Sequence, residues 1–248
     1  MIAIRNDQEI ECLIAAGHVV ALTHQEIKKH IVAGITTREI DSICENFIRK
    51  QGATPSFKGL YGFPGSVCVS VNDVLVHGIP GDYVLKDGDI VTVDIGACIN
   101  GYHGDSAWSY AVGNVSPLVA KLMKVTEESL YVGLKKATEG NRVTDISHAV
   151  QEYVESYGFS VPRDYTGHGV GREVHEDPAV PNFGLPGRGP KLKAGMCIAV
   201  EPMVQAGTMY TTAGEDGWNV RSSDGSLSAH YEHTVVITKG DCIITTKL

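Results

Sequence analysis

The 248-residue chain is predicted to fold as an α/β (α+β) structure made of two similar halves. The first observation is a repeated helical segment, in which Gly34–Gly52 and Gly140–Gly158 align in both flanking glycines and apolar face. The second is a repeated strand, LKDGDIVTVD (Leu85–Asp94) and LKAGMCIAVE (Leu192–Glu201), in which each copy ends in an acid. One match could arise by chance, because amphipathic helices resemble one another. Two matches in the same order favour an internal repeat.

The absence of a Pro- or Ser-rich linker between the copies predicts that both halves belong to one domain, residues 1–248, with a shared sheet system. The halves are about 1–112 and 113–248, related by an approximate two-fold. A site between two such halves would draw one set of ligands from each half.

Four helices are predicted in chain order. Residues 6–31 have helical apolar spacing, and Asn6 with Glu9 resembles a capping box. A second helix is expected from near Thr36 to Gly52, a third from Ser116-Pro117 to about Thr138, and a fourth from Thr144 to Gly158.

A hairpin between two of the predicted strands brings acids together. Val91–Ile95 alternates as a strand does, and Asn100-Gly101 is a strong two-residue turn signal. If these two residues form the turn, Asp94 and Asp105 lie diagonally on one sheet face, roughly 7–8 Å apart at the backbone. Two such carboxylates repel unless a cation or a proton intervenes. The alternative is two acids on a solvated strand face.

The second half repeats this arrangement. Glu201 ends its strand where Asp94 ends the first, and Ser228–Ile237 is predicted as one further strand that makes Glu232 the counterpart of Asp105. Four carboxylates and one histidine suit a pair of divalent cations such as Mn, Fe(II), Co or Mg. Two such ions can activate one water molecule and polarise a carbonyl group.

The segment TGHGVGREVHEDP (Thr166–Pro178) has three alternating glycines and two histidines, His168 and His175. Taken alone, it could be a phosphate-binding loop or a source of a metal ligand. Its G-x-G-x-G spacing is not the dinucleotide fingerprint, and Pro178 and Pro181 follow too soon for a helix. The chain also has no H-E-x-x-H and no G-x-S-x-G motif.

Composition excludes several classes of function. The net charge of −8 disfavours stable nucleic-acid binding, and no apolar run approaches the roughly 20 residues that span a bilayer. The N-terminus has no apolar signal-peptide region. Six scattered cysteines without a C-x-x-C pair indicate reduced thiols, so we expect a cytoplasmic protein.

The motifs together resemble the type I methionine aminopeptidases of the short bacterial kind. The resemblance covers essentially the whole chain and rests on HGIP, VDIGA, NGYHGDSAW, GHGVGREVHEDP, EPM and SAHYEHT in the family's order. It implies the pita-bread fold, with two pseudo-two-fold-related halves and an antiparallel sheet covered by helices. It also implies removal of the initiator methionine from nascent proteins whose second residue is small.

The resemblance assigns roles to individual residues. The implied metal ligands are Asp94, Asp105, His168, Glu201 and Glu232, with Asp105 and Glu232 bridging two divalent ions drawn from Co, Mn, Fe(II), Zn and Ni. Glu201 would be the general base, His175 would hydrogen-bond the scissile carbonyl, and His77 would contact the scissile amide and help protonate the leaving amine. A substrate pocket would be lined by Phe57, Leu60, Phe63, Cys68 and Trp218, with Val174 nearby.

Three residues, Asn72, Val74 and Ser228, match a site for a Na or K ion in relatives. A monomer that meets nascent N-termini and associates transiently with the ribosome is the family expectation. The other histidines, His230 among them, are interpreted as surface or satisfied core residues. Two rivals stay open: a prolidase-like or X-Pro aminopeptidase on the same fold, and a non-catalytic pita-bread binding protein.

Overall fold

The computed structural model describes residues 1–248, which form four helices and fourteen strands with one short 3₁₀ turn at Leu60–Gly62. The helices are α1 (Asp7–Ile27), α2 (Thr37–Lys50), α3 (Pro117–Leu134) and α4 (Val143–Ser156). The strands are β1 (Thr54–Pro55), β2 (Cys68–Val71), β3 (Val74–Val76), β4 (Ile90–Ile99), β5 (Tyr102–Ala111), β6 (Thr166–Gly169), β7 (Glu176–Pro181), β8 (Cys197–Val200), β9 (Met203–Gln205), β10 (Thr211–Ala213), β11 (Val220–Ser222), β12 (Ser228–His230), β13 (His233–Val236) and β14 (Ile243–Ile244). The strands pair antiparallel, and the chain combines them with four helices. The predicted class, α/β (α+β) with an antiparallel sheet, is therefore confirmed.

All four predicted helices form, and the N-termini of α1, α2 and α3 follow the predicted signals, whereas α4 begins at Val143 after Arg142. The Asn6 side chain accepts the Glu9 backbone N–H at the start of α1, and the Glu9 carboxylate returns the bond in a capping box. Two helices end earlier than predicted, because α1 stops before Ile31 and α3 stops before Ala137. Ile31 and Ala137 lie just beyond these helices and are nevertheless buried. The apolar pattern therefore continues beyond the end of the hydrogen-bonded helix.

Two helix pairs cover two sheets. Strands β1, β2 and β5 all pair with β4, and α1 and α2 pack against this first sheet. The second sheet has the order β14-β13-β8-β6-β7 and is covered by α3 and α4. Each sheet has its own large apolar core cluster, and Trp108 packs against both clusters.

The β4–β5 hairpin has the predicted register. Asn100 and Gly101 form the turn with φ values of 55° and 75°, and Asp94 pairs with Ala107. One detail of the prediction is wrong, because Asp94 lies in the middle of the ten-residue β4 and not at the end of a strand. The alternating pattern used for the prediction stopped at Ile95, although small and apolar residues continue the strand to Ile99.

The predicted strand Ser228–Ile237 is wrong, because the structure divides it into β12 and β13 with different partners. The break between β12 and β13 lies opposite a similar break between β8 and β9, where Pro202 follows Glu201. Proline has no N–H to donate, so the ladder is interrupted there. Glu201 and Glu232 both lie in these interruptions, next to each other between the strand ends.

Hydroxyl groups join β5 to the second half. Thr234 Oγ1 donates to the Asp105 carbonyl oxygen at 2.7 Å, and Ser106 Oγ donates to the Glu232 carbonyl oxygen at 2.6 Å. The Glu232 N–H donates to the carbonyl oxygen of Ala107 at 2.9 Å. These bonds bring an acid from each half to the same place.

Glycines in β6 serve close strand packing. A Cβ on Gly167 would lie 2.3 Å from the Ala199 carbonyl oxygen, and one on Gly169 would lie 2.2 Å from the Asp177 carbonyl oxygen. At these two positions the neighbour is the protein's own backbone, so β6 can lie close to β8 on one side and to β7 on the other.

Candidate active site

A single cavity of about 450 Å³ contains the predicted acids and histidines. Its wall includes all five proposed ligand positions, and each comes from a different strand or strand end. They are Asp94 in β4, Asp105 in β5, His168 in β6, Glu201 after β8, and Glu232 between β12 and β13.

His168 is oriented by its own strand. Its Nδ1 lies 2.9 Å from the Gly169 carbonyl oxygen, which can only accept, so Nδ1 carries the proton. The lone pair of Nε2 then faces the acids, 3.4 Å from Glu201 Oε1 and 3.7 Å from Asp105 Oδ2. A metal-ligating histidine ordinarily has this arrangement, with the second ring nitrogen fixed by a hydrogen bond.

Burial dominates the electrostatics of the four acids. It raises the pKa of Asp94 to about 7 and that of Glu201 to about 7. The pKa values of Asp105 and Glu232 are raised well above the usual range, first by burial and then by the charges of the neighbouring acids. Four carboxyl groups this close cannot all be ionised without a compensating positive charge.

The donor set fits divalent cations. Asp94 Oδ1, Asp105 Oδ1 and Glu232 Oε1 are buried and have no hydrogen-bond partner in the protein. Ligand atoms of Asp105, His168 and Glu232 lie within 4.8 Å of one another, as do those of Glu201, His230 and Glu232. Unpaired carboxylate oxygens together with one oriented imidazole are ligands for hard or borderline ions.

His77 and His175 line the same cavity at its open side. Burial lowers the pKa of His77 to about 4, and it also lowers the pKa of His175. The His77 backbone has a φ of 59°, a left-handed conformation that is uncommon for a residue other than glycine. The ring of His175 lies edge-on to that of His168 at 4.4 Å and stacks on Tyr61 at 6.1 Å. Both imidazoles are neutral at pH 7 and can donate an N–H to a bound molecule.

One wall of the cavity is apolar. Phe57, Phe63 and Cys68 are buried in one cluster, and the rings of Phe63 and Trp218 meet edge-to-face at 5.1 Å. Every residue predicted for the substrate pocket lines this cavity, whereas Val174 packs behind it in the same cluster. Burial and nearby acids raise the pKa of the Cys68 thiol well above its usual value, so it is a packing group and not a thiolate nucleophile. Further lining residues were not predicted from the sequence, namely Tyr61, Val76, Asp164, Tyr165, Thr166 and Met203.

His230 was also missed, and its interpretation as a surface or satisfied core residue is wrong. It is 1% exposed, lines the cavity, and neither ring nitrogen has a hydrogen-bond partner. A usable signal existed in the sequence, because His230 and Glu232 are two residues apart in a segment predicted as a strand. Period-two spacing places such side chains on the same face.

The residues of the predicted monovalent-cation site lie away from this cavity. The Ser228 N–H donates to the Asn72 carbonyl oxygen at 2.8 Å, and Val74 follows Asn72 at the start of β3. Asn72 has a φ of 56°, and its side chain bridges Asp89 and the Ile90 N–H. The Ser228 hydroxyl is buried without a partner.

None of the four helices combines the length and the apolar character that crossing a membrane requires.

Comparisons with known proteins agree with this geometry. The model of metallopeptidase family M24 matches residues 11–239. Methionine aminopeptidase 1 of Bacillus subtilis is 57% identical over 248 residues, which is the whole of both chains. The crystal structure of methionine aminopeptidase from Thermotoga maritima is 45% identical, has a TM-score of 0.98 and is covered completely by this chain.

A more distant likeness is to prolidase from Pyrococcus furiosus, with a TM-score of 0.81 and 23% identity. The match covers 99% of this chain and 65% of that longer protein. This likeness concerns the fold alone.

Proposed function

Because the chain belongs to metallopeptidase family M24, among its methionine aminopeptidases, we propose that it removes the N-terminal methionine from nascent proteins whose second residue is small. The observation that carries this proposal is a buried acidic centre beside an apolar wall in one cavity of about 450 Å³. Such a cavity suits a substrate with a charged amine at one end and an apolar side chain at the other.

Two divalent ions would be held by Asp94, Asp105, His168, Glu201 and Glu232, which all line the cavity. Co, Mn and Fe(II) suit a carboxylate-rich set with one imidazole, and Zn and Ni are further candidates. When bound, such ions supply Lewis acidity that polarises the scissile carbonyl and lowers the pKa of water. The orphaned oxygens of the acids support this assignment.

Glu201 would be the general base. As a carboxylate that faces the cavity, it would accept a proton from the attacking water and return the proton to the leaving amine. His175 would donate an N–H to the oxygen of the scissile carbonyl as negative charge develops there. His77 would donate an N–H to the scissile amide. Burial lowers the pKa of His77 to about 4, so the free imidazole is neutral at pH 7, and its help in protonating the leaving amine stays a prediction.

The methionine side chain would lie against Phe57, Leu60, Phe63, Cys68 and Trp218. The free α-amino group of the substrate would face the acids and ions. Because this position requires a free amine, the enzyme would cleave only at the N-terminus. A second residue with a large side chain would be rejected by crowding at the cavity mouth, where Tyr61 and His175 stack.

The biological setting is also proposed. The enzyme would act in the cytoplasm as a monomer, on N-termini emerging from the ribosome during transient contact. A net charge of −8 argues against stable nucleic-acid binding. Asn72, Val74 and Ser228 would hold a structural Na or K ion.

A peptide panel tests the proposed function. The protein, loaded anaerobically with Co or Mn, is incubated with Met-Ala-Ser, Met-Leu-Ser, acetyl-Met-Ala-Ser and Ala-Pro. Methionine should be released from Met-Ala-Ser only, because the other peptides have a bulky second residue, a blocked amine or a wrong first side chain. The variant Glu152→Gln, which changes an exposed acid on α4, is the control and should match the parent. Comparable hydrolysis of Ala-Pro would favour the prolidase-like alternative, and inertness toward all four peptides would favour the binding-protein alternative.

A further inference from the structure

His230 is the last residue of β12 and lies in the wall of the acidic cavity. Its backbone is fixed, because the N–H donates to Ser109 Oγ at 3.0 Å and the carbonyl oxygen accepts from the same hydroxyl at 3.0 Å. The ring is therefore held at a defined position relative to β5, which contains Asp105.

The His230 ring makes none of the contacts that usually explain a buried histidine. His24 and His233 are also enclosed, and each has both ring nitrogens within hydrogen-bond distance of a partner. Both nitrogens of His230 lack a partner although the residue is 1% exposed. A buried polar atom without a partner is costly, so a residue of this kind requires another explanation.

The distances around His230 match those around His168. His230 Nε2 lies 3.5 Å from Glu201 Oε2 and 3.9 Å from Glu232 Oε2. His168 Nε2 lies 3.4 Å from Glu201 Oε1 and 3.7 Å from Asp105 Oδ2. The Glu201 carboxylate thus lies between two imidazoles, with one ring facing each oxygen. Atoms spaced this way fit around an ion whose bonds to nitrogen and oxygen are about 2.1 Å.

We propose that His230 Nε2 is a further ligand of the metal centre, which then has two imidazole ligands. The inference rests on the metal centre of the proposed function and adds a residue to it. The ion bound by His230 would also be bound by Glu201 and Glu232, whose ligand atoms lie within 4.8 Å of that of His230. A second imidazole shifts the preference of the centre away from Mg and Mn and toward Fe(II), Co, Ni and Zn.

The test counts zinc-bound histidines by NMR. Protein labelled with ¹⁵N-histidine is titrated anaerobically with up to two equivalents of zinc, and long-range ¹H–¹⁵N spectra follow the ring nitrogens. Two ring nitrogens should move to the position of zinc-bound imidazole. One of these signals should be missing in His230→Gln and the other in His168→Gln.

His24→Gln is the control, because it removes a part-buried imidazole whose ring nitrogens already have partners. It should leave the zinc-bound count at two. Zinc affinity, measured by competition with a chelator, should fall at least about tenfold in His230→Gln and stay unchanged in His24→Gln. Circular dichroism checks that each variant is folded. If a variant does not fold, the number of zinc-bound ring nitrogens in the parent protein still shows whether the centre has one or two imidazole ligands.

One shifted nitrogen that disappears only in His168→Gln would overturn the inference. So would a His230 ring that keeps an N–H on Nε2 after zinc is bound, since that ring would be a hydrogen-bond donor. Either result leaves the proposed function intact if Met-Ala-Ser is still hydrolysed. Absence of any shifted histidine, together with no hydrolysis, would instead count against the metal centre itself.

Discussion

Asp94 and Glu201 are the acids whose titration falls nearest to physiological pH, each with a pKa raised by burial to about 7. The two remaining acids, Asp105 and Glu232, have pKa values raised well above their usual range. In the metal-free protein, each of these carboxyl groups holds its proton at any pH below its raised pKa. His168 has a lowered pKa and is already a neutral imidazole, so its Nε2 has no proton to release when a metal binds.

We therefore predict that metal binding releases protons and weakens as pH falls through about 7, because the cation must displace protons from the acids. The apparent affinity should fall roughly tenfold per pH unit for each proton released. Calorimetric titration at pH 6 and pH 8 in buffers of different ionisation enthalpy measures both quantities. Asp94→Asn should release about one proton fewer, whereas the exposed-site variant Glu152→Gln should release as many as the parent. Affinity independent of pH would contradict the assignment of these acids as ligands.

The sequence predicted single residues well where local geometry fixes them. Asp94 and Asp105 were paired correctly because the Asn100-Gly101 turn determines the register of the hairpin. His230 was not predicted. Its two-residue spacing from Glu232 was a usable signal, but the absence of partners for its ring nitrogens can be recognised only in three dimensions.

At the scale of elements, the β4–β5 hairpin is held against α1 by close backbone contact. A Cβ on Gly104 would lie 2.7 Å from the Gly17 nitrogen and 2.8 Å from the Ala16 carbonyl carbon. These atoms belong to the helix backbone and cannot move aside as a flexible side chain can. Gly104 precedes Asp105 directly, so the packing of α1 and the position of this ligand are linked.

Gly104→Ala should therefore destabilise the protein by about 1–3 kcal/mol, since overpacking displaces α1 from β5. It should also weaken metal binding through Asp105. Urea unfolding of the metal-free protein gives the first quantity, and calorimetric titration gives the second. Gly240→Ala is the control, because its added Cβ meets nothing within 4 Å. A Gly104→Ala protein as stable as Gly240→Ala would show that the close approach is not required.

The element that the sequence did not predict is the interruption at Tyr231-Glu232, whereas the end of the other strand at Glu201 was predicted. The predicted strand Ser228–Ile237 contains no Gly or Pro that would signal a break. The interruption coincides with a tertiary contact, the bond from the Glu232 N–H to the Ala107 carbonyl oxygen, which the sequence does not show.

At the scale of the whole molecule, the fold class and the repeat pattern could be inferred from sequence because both halves carry the same helix and strand signals. The boundary of the halves stays a prediction. The way in which they meet could not be inferred, because it depends on hydroxyl contacts from Ser106 and Thr234 across the centre. Those contacts place Asp105 and Glu232, one from each predicted half, in the same cavity.

The central claim is that one metal centre, completed by acids from both halves, performs the hydrolysis. Its most direct test is Glu232→Ala, assayed together for metal content and for turnover of Met-Ala-Ser, with Glu152→Gln as the surface control. The account predicts that Glu232→Ala loses metal binding and turnover together, by several orders of magnitude in rate, whereas the control keeps both. Full turnover by Glu232→Ala would contradict the account.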